Sequence, residues 1–251
     1  MLFNYHTHTK RCNHASGEDR EYVEKAIEAG IKTLGFSDHA PYLFPGDYQS
    51  CFRMRLDEIA AYAASVRSLA KEFEKDIRIL CGFELEYYPR FHKDEMAFLK
   101  QVQPDYLIMG QHFYDNEIDG GPAPQIDDDQ RFHRYISQVI EGLETGDYLY
   151  LAHPDLLGYR CSDETIESGY RRLCENAKRL NVPLEINMLG IRTHRHYPNE
   201  RFFKIAGEVG NSVILGLDAH SPQEVCDTAS EVFAKDMVSA FGLKLIDKPL
   251  L

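Results

Sequence analysis

The 251-residue chain has no apolar run near the roughly 20 residues that span a bilayer. Its N-terminus, Met-Leu-Phe-Asn-Tyr-His, lacks the basic stretch and apolar core of a secretion signal, so a membrane or secreted protein is not expected and a cytoplasmic one is. No Cys-x-x-Cys occurs among the six scattered cysteines, which read as reduced cytosolic thiols rather than a disulfide framework. Positive charge is in deficit: 28 Lys and Arg face 40 Asp and Glu, giving a net charge of −12. With the basic residues interspersed among acids, no basic track for nucleic acid is visible, and none is expected as a partner. No Pro/Gly/Ser-rich linker, low-complexity run or internal repeat divides the sequence, so residues 1–251 read as one domain.

What is present is enough apolar material for a core, 43% hydrophobic and 12% aromatic, arranged as strand-length runs alternating with helical patterns. The expected strands are Leu2–His6, Thr33–Asp38, Ile77–Leu85, Tyr106–Gln111, Tyr148–Ala152, Val182–Asn187 and Val213–Asp218. Between them lie amphipathic helices, such as Glu164–Leu180 with Ile166, Tyr170, Leu173, Ala177 and Leu180 on one stripe. Gly30 is placed to close a first helix Asp19–Ala29, and Asp127 with Gln130 resembles a capping box before Phe132–Leu143. The stretch Tyr114–Asp129 is the most irregular. Such βα alternation suits a closed barrel or an open doubly wound sheet, and the absence of a glycine-rich phosphate loop favours the barrel.

Eleven histidines are more than a structural domain usually needs, and their positions are selective. His6 and His8 end the first expected strand, Asp38 and His39 the second, and Glu84 and Glu86 the third. His112 ends the fourth, His153 the fifth, and Asp218 with His220 the seventh. In a parallel barrel all strand C-termini open on one face, so these residues would converge there, joined by His14 from the first loop. In His6-Thr7-His8 the alternation of a strand puts both imidazoles on one side, and Asp218-Ala219-His220 repeats the spacing. Any one strand-end histidine is more often a hydrogen-bonded structural residue, but as a set they have no other reason to select one end of successive strands. Of Glu84 and Glu86 only one is expected to face the pocket, and Glu84 is the choice. His92 and His133 are assigned to packing or surface roles. His194 and His196, in the basic loop RTHRHYP, are placed for an anionic ligand or for water.

These residues resemble the PHP (polymerase and histidinol phosphatase) family of metal-dependent phosphoesterases. The motifs are HTHT at 6–9, His14 in RCNHASG, SDHAP at 37–41, GFELEYYP at 82–89, GQH at 110–112, AHPDL at 152–156, EIN at 185–187 and LDAHSP at 217–222. Length and RCNHASG are most similar to the monofunctional histidinol phosphatases. The resemblance implies an α/β fold, a distorted seven-stranded TIM-like barrel with its metal site at the C-terminal face of the strands. It implies three divalent ions: one held by His6, His8, Glu84 and Asp218, a second by Glu84 as a bridge with His112 and His153, and a third by His14, His39 and His220. Imidazole and carboxylate ligands suit Zn, Fe or Mn. Three such ions offset by Glu84 and Asp218 leave about +4 in the pocket, so a protein of net −12 can still bind a phosphate dianion.

The implied activity is phosphomonoester hydrolysis on a small substrate, L-histidinol phosphate first. A hydroxide formed on the ions would attack phosphorus in line. Glu84, Asp218 and His220 are the catalytic candidates, with Asp218, His220 or a water as proton donor to the leaving group. Arg160 and Arg192 are the candidates to clamp phosphate, and Arg195 stands in reserve. Two positions depart from the family pattern: Asn4 stands where an Asp is frequent, and Met188–Arg192 after EIN is bulkier and more apolar. The same chemistry on nucleotides, sugar phosphates, phosphotyrosine or DNA ends is the alternative, and a non-catalytic metal-binding regulatory module is another.

Overall fold

A computed structural model of the chain describes every residue except Tyr159. It is a mixed α/β fold around a curled parallel sheet. Strands β1 (Phe3–Asn4), β2 (Thr33–His39), β3 (Arg78–Leu85) and β4 (Tyr106–Met109) pair in that order, all parallel, with Phe3 opposite Thr33, Thr33 opposite Arg78 and Gly82 opposite Tyr106. After β4 a short antiparallel hairpin, β5 (Phe113–Tyr114) with β6 (Gly121–Pro122), gives order to the stretch that looks irregular in sequence. Strands β7 (Leu184–Asn187), β8 (Ser212–Gly216) and β9 (Lys244–Leu245) form a second parallel group.

The two groups are joined through Leu151, which bridges Met109 on one side and Leu184 on the other. Here the sequence predicts a full strand, Tyr148–Ala152, and the ladder is shorter than that. On the β4 side it is continuous: Leu149 N–H donates to Leu107 O (2.8 Å) and Ala152 N–H to Met109 O (2.8 Å). On the β7 side Leu151 N–H donates to Pro183 O (3.0 Å), but Pro183 has no N–H to return, so pairing cannot extend backwards. At the other edges Thr7 bridges Ala219 in parallel and His8 N–H donates to Ala219 O (2.9 Å), which curls the sheet back on itself.

The first strand is likewise shorter than expected. Asn4 turns its side chain onto its own segment, donating from Nδ2 to His6 O (3.1 Å) and to Thr7 Oγ1 (2.8 Å), and its Oδ1 accepts Leu217 N–H (2.9 Å). Such local bonds compete with the ladder, and they also tie the ends of β1 and β8 together. Helices α1 (Asp19–Glu28), α2 (Ile59–Glu72), α3 (His92–Leu99), α4 (Asp129–Glu144), α5 (Asp163–Arg179), α6 (Met188–Arg192), α7 (Glu200–Val209) and α8 (Thr228–Ala240) connect the strands, singly or as the consecutive pairs α4–α5 and α6–α7. Gly30 follows α1 with a φ of 76°, as a left-handed terminator does. The cap of α4 is Asp128, whose side chain accepts Arg131 N–H, one residue later than the expected Asp127.

A small cluster including Phe3, Tyr5, Tyr106, Ile108 and Tyr150 fills the inside of the curl, and a larger apolar layer packs the helices onto the outside. Among the described residues no helix is long and apolar enough to cross a membrane. All six cysteines are free.

Candidate metal centre

The chain runs out of sheet geometry at the C-terminal ends of the strands, and the ligand-type side chains collect there. Glu84, in the last turn of pleat of β3 and 1% exposed, is the hub. Its Oε2 lies 3.0 Å from His39 Nδ1, 3.5 Å from His8 Nε2 and 3.6 Å from His6 Nε2. Its Oε1 lies 2.8 Å from His153 Nε2 and 3.6 Å from His112 Nε2. Room for that carboxylate is made by Gly110, where a β-carbon would sit 1.7 Å from Glu84 Oε1. Asp218 is the second hub, with Oδ1 at 3.1 Å from His8 Nε2 and 3.5 Å from His6 Nε2. His220 stacks on His8 (ring centroids 4.1 Å) and brings its Nε2 to 3.0 Å from His14 Nε2. Two of these residues have backbone in the left-handed region, His153 at φ 29° and Asp218 at φ 48°, a strain found where surroundings over-determine a functional side chain.

The geometry fits divalent metal. Ligand atoms 2.0–2.2 Å from a shared tetrahedral ion are themselves roughly 3.3–3.6 Å apart. Buried atoms His6 Nε2, His8 Nε2, His39 Nδ1, Glu84 Oε2 and Asp218 Oδ1 are at about that spacing and have no hydrogen-bond partner. Buried polar atoms without partners are costly, and a cation is what would satisfy all of them together. Triads His6–His8–Glu84, His6–His153–Asp218 and His8–His39–His220 each bring three ligand atoms within 4.8 Å of one another.

Behind the imidazoles sits a layer of acceptors. Glu185 Oε1 is 2.7 Å from His6 Nδ1, Glu86 Oε1 is 2.7 Å from His112 Nδ1, and Asp38 Oδ1 is 3.4 Å from His8 Nδ1. Backbone carbonyls serve His14 (Cys12 O, 2.8 Å) and His220 (Asp218 O, 3.1 Å). Each leaves the other ring nitrogen facing the cluster, the arrangement that fixes a ligand's tautomer. Sequence reasoning weighed Glu86 and set it aside in favour of Glu84, and it carried Glu185 only as part of the EIN motif. Their signal is position at a strand end, Glu185 in EIN and Glu86 two residues beyond Glu84.

The electrostatics follow from burial and proximity. Burial disfavours a charged His6, yet Asp218, Glu185 and Glu84 outweigh it and push its pKa up to about 10. Burial also opposes charge on Glu84 and Asp218, but the surrounding histidines hold both well below the usual carboxylate range. His220 goes the other way, down to about 3, through burial and the neighbouring His8.

The cluster floors a cavity of about 440 Å³ whose other walls are Phe52, Leu156, Leu189, Arg195 and Tyr197. The arginines are distributed differently from the sequence expectation. Arg192 is turned away, donating to Leu217 O (2.7 Å) and to Asp218 O and facing Glu224 Oε1 (3.3 Å), so it braces the Asp218 backbone. Arg160 is exposed and is not a wall residue. Arg195, the reserve candidate, does line the cavity and donates from Nη1 to Tyr197 Oη (2.8 Å). His92 packs on Tyr87 (4.9 Å) and pairs with Asp147 (2.8 Å), His133 is half-buried on α4, and His196 Nε2 meets Leu156 O (2.9 Å).

The chain matches the PHP domain family over residues 4–189 and belongs to it. The LDAHSP segment carrying Asp218 and His220 lies beyond the matched span. Over its length the chain is similar to a probable histidinol-phosphatase of Deinococcus radiodurans, 28% identical over 234 residues, covering 89% of this chain and 88% of the relative. Among solved structures it superposes on histidinol phosphate phosphatase from Lactococcus lactis subsp. lactis, a complex with Zn, L-histidinol and phosphate. That match has a TM-score of 0.73 at 20% identity and covers 98% and 95% of the two chains. A crystal structure from Listeria monocytogenes, described as that of a candidate histidinol phosphatase, gives a TM-score of 0.70 at 21% identity, covering 91% and 99%. At these identities the structural likeness speaks for the fold.

Proposed function

We propose that this chain is a metal-dependent phosphomonoesterase whose substrate is L-histidinol phosphate. The observation that carries the reading is the set of buried, partnerless ligand atoms around Glu84 and Asp218 at the floor of a solvent-reaching cavity with an arginine in its wall. The relative from Deinococcus radiodurans supports the substrate. In this reading the two sheet groups, with Leu151 between them, make up a distorted seven-stranded barrel, and its strand ends hold three divalent ions of Zn, Fe or Mn.

His6, His8, Glu84 and Asp218 would hold one ion, Glu84 with His112 and His153 the second, and His14, His39 and His220 the third. Bound there, the ions supply positive charge for the phosphate oxygens and acidify water. The chain's own residues do the rest. Arg195 offers a guanidinium fork to the phosphate, its direction set by Tyr197 Oη. Phe52, Leu156, Leu189 and Tyr197 exclude water and match a small ring on the leaving group. Asp218 points Oδ1 at the cluster as a ligand atom and has Oδ2 occupied by Asn187 Nδ2 (3.0 Å), which leaves a water as the proton donor to the leaving group. His220, with Nδ1 on a backbone carbonyl and Nε2 toward His14, serves as a ligand rather than as the acid.

Assay of L-histidinol phosphate, p-nitrophenyl phosphate and nucleoside monophosphates, each with and without chelator, tests the proposal. The account requires chelator-sensitive phosphate release, with kcat/KM highest for histidinol phosphate. Equal rates across the panel would reject the substrate, and chelator-insensitive turnover would reject the metal mechanism.

A further inference from the structure

Residues 41–55, between β2 and the short helical turn before α2, form no regular strand or helix, yet Arg53 in this segment is only 2% exposed. A buried arginine is costly unless its charge is paired, and this one faces two carboxylates. Nη2 is 2.6 Å from Glu86 Oε1, Nε donates to Glu117 Oε2 (2.9 Å), Nη1 donates to Ala40 O (3.3 Å), and Phe52 covers the guanidinium plane at 4.5 Å. Two of the contacts come from segments that build the cavity, since Ala40 follows His39 and Glu86 follows β3, and Glu117 adds a third from the β5–β6 connection. The same oxygen of Glu86 that meets Arg53 also meets His112 Nδ1 at 2.7 Å.

We infer that Arg53 and Glu86 are positioning residues for His112: Glu86 accepts the Nδ1 proton, which leaves Nε2 as the atom facing Glu84, and Arg53 fixes the carboxylate that does so. This extends the metal-centre reading and rests on it. Without Glu86 the imidazole can rotate about χ2 or present the other tautomer, and either removes Nε2 from the cluster. Without Arg53, Glu86 is a buried carboxylate with one partner and loses its fixed orientation. Phe52 is the residue next to Arg53 and packs edge-on to His39 (5.2 Å), so the same anchor holds a wall of the cavity. Loss of an acceptor behind a ligating histidine typically lowers metal affinity about 10–100-fold.

A buried ion pair kept only for the fold makes a different prediction, because replacing both members by apolar side chains of similar volume is often neutral or stabilising. The experiment is therefore a Co²⁺ titration of the full chain, followed by visible absorption and by elemental analysis after dialysis, with thermal denaturation of each protein in parallel. The proteins are wild type, Glu86→Met, Arg53→Lys, Arg53→Met and the double variant Arg53→Met/Glu86→Met. The expected result is an affinity about 10–100-fold weaker for one equivalent of Co²⁺ in Glu86→Met and in the double variant, with the other equivalents unchanged. Arg53→Met shifts the same equivalent less, and Arg53→Lys, which keeps the charge, least. The double variant recovers Tm without recovering that equivalent. Titration curves superimposable on wild type, or a loss that returns together with Tm in the double variant, would overturn the inference while leaving the metal centre intact. Wild-type protein that takes up no Co²⁺ would instead overturn the metal reading beneath it.

Discussion

His14 Nε2 and His220 Nε2 stand 3.0 Å apart across 206 residues of sequence, one at the end of a 3₁₀ turn after β1 and the other just after β8. Two imidazole nitrogens at that distance either share one proton or share a cation, and a carbonyl oxygen behind each ring directs both at the same point. Replacing both by Ala is expected to remove one equivalent of metal and to leave the ions around Glu84 in place. Elemental analysis after dialysis counts the loss, and an unchanged count would remove these residues from the site.

The hub carboxylate is the most sensitive position. Glu84→Gln keeps the shape but removes the charge that five histidine nitrogens face within 3.6 Å. Turnover is expected to fall to background. Gly110→Ala, which drives a methyl into Glu84 Oε1, is expected to follow it in activity with the charge retained. Full kcat in either variant would contradict the bridging role.

The pH dependence separates metal-free from metal-loaded protein. In the metal-free chain His6 has its pKa raised from 6.5 to about 10, so its protonated form contributes stability that is complete below about 6.5 and lost as pH rises toward 10. Glu84 and Asp218, held low, contribute above the ordinary carboxylate range and lose that contribution only in acid. Metal-free protein is therefore expected to lose denaturation midpoint between pH 7 and 10. Metal-loaded protein, in which His6 is a neutral ligand, keeps it. Because metal displaces that proton, loading at pH 7 releases protons and weakens as pH falls. Denaturant melts at both pH values, and calorimetry in two buffers of different ionisation enthalpy, check the two halves.

Three arginines should behave in three ways. Arg195→Ala is expected to raise KM with little change in kcat if its phosphate contact is uniform between ground and transition state. Arg192→Ala strips donors from Leu217 O and Asp218 O and is expected to cost about 1–3 kcal/mol of stability. Arg160→Ala, at an exposed position, is expected to stay within about 0.5 kcal/mol of wild type. Steady-state kinetics beside thermal melts distinguish them.

How far the sequence carried depends on the kind of element. His6, His8, His39, Glu84, His112, His153, Asp218 and His220 are legible because a strand end fixes both direction and neighbourhood, so residues far apart in the chain can be read as one face. Arg195 is harder to read than Arg192 because the segment after α6 is a loop, and no periodicity says which side chain turns inward. Glu86 and Glu185 share their residue type with Glu84, and only coordinates show that they stand behind an imidazole rather than beside it. The strand at Tyr148–Ala152 has the right pattern, but its length was limited by a missing N–H in its neighbour, Pro183, which the pattern of either segment alone does not reveal. The α4 cap illustrates the same point at small scale, since Asp127, Asp128 and Asp129 are chemically alike and backbone geometry selects Asp128.

The most direct test of the whole account is phosphate release from L-histidinol phosphate by chelator-stripped protein titrated with Zn²⁺ or Mn²⁺. The account predicts no release from stripped protein and a rise to a plateau as metal is restored. Release that is undiminished by stripping, or that stays absent when elemental analysis shows the sites filled, would contradict it.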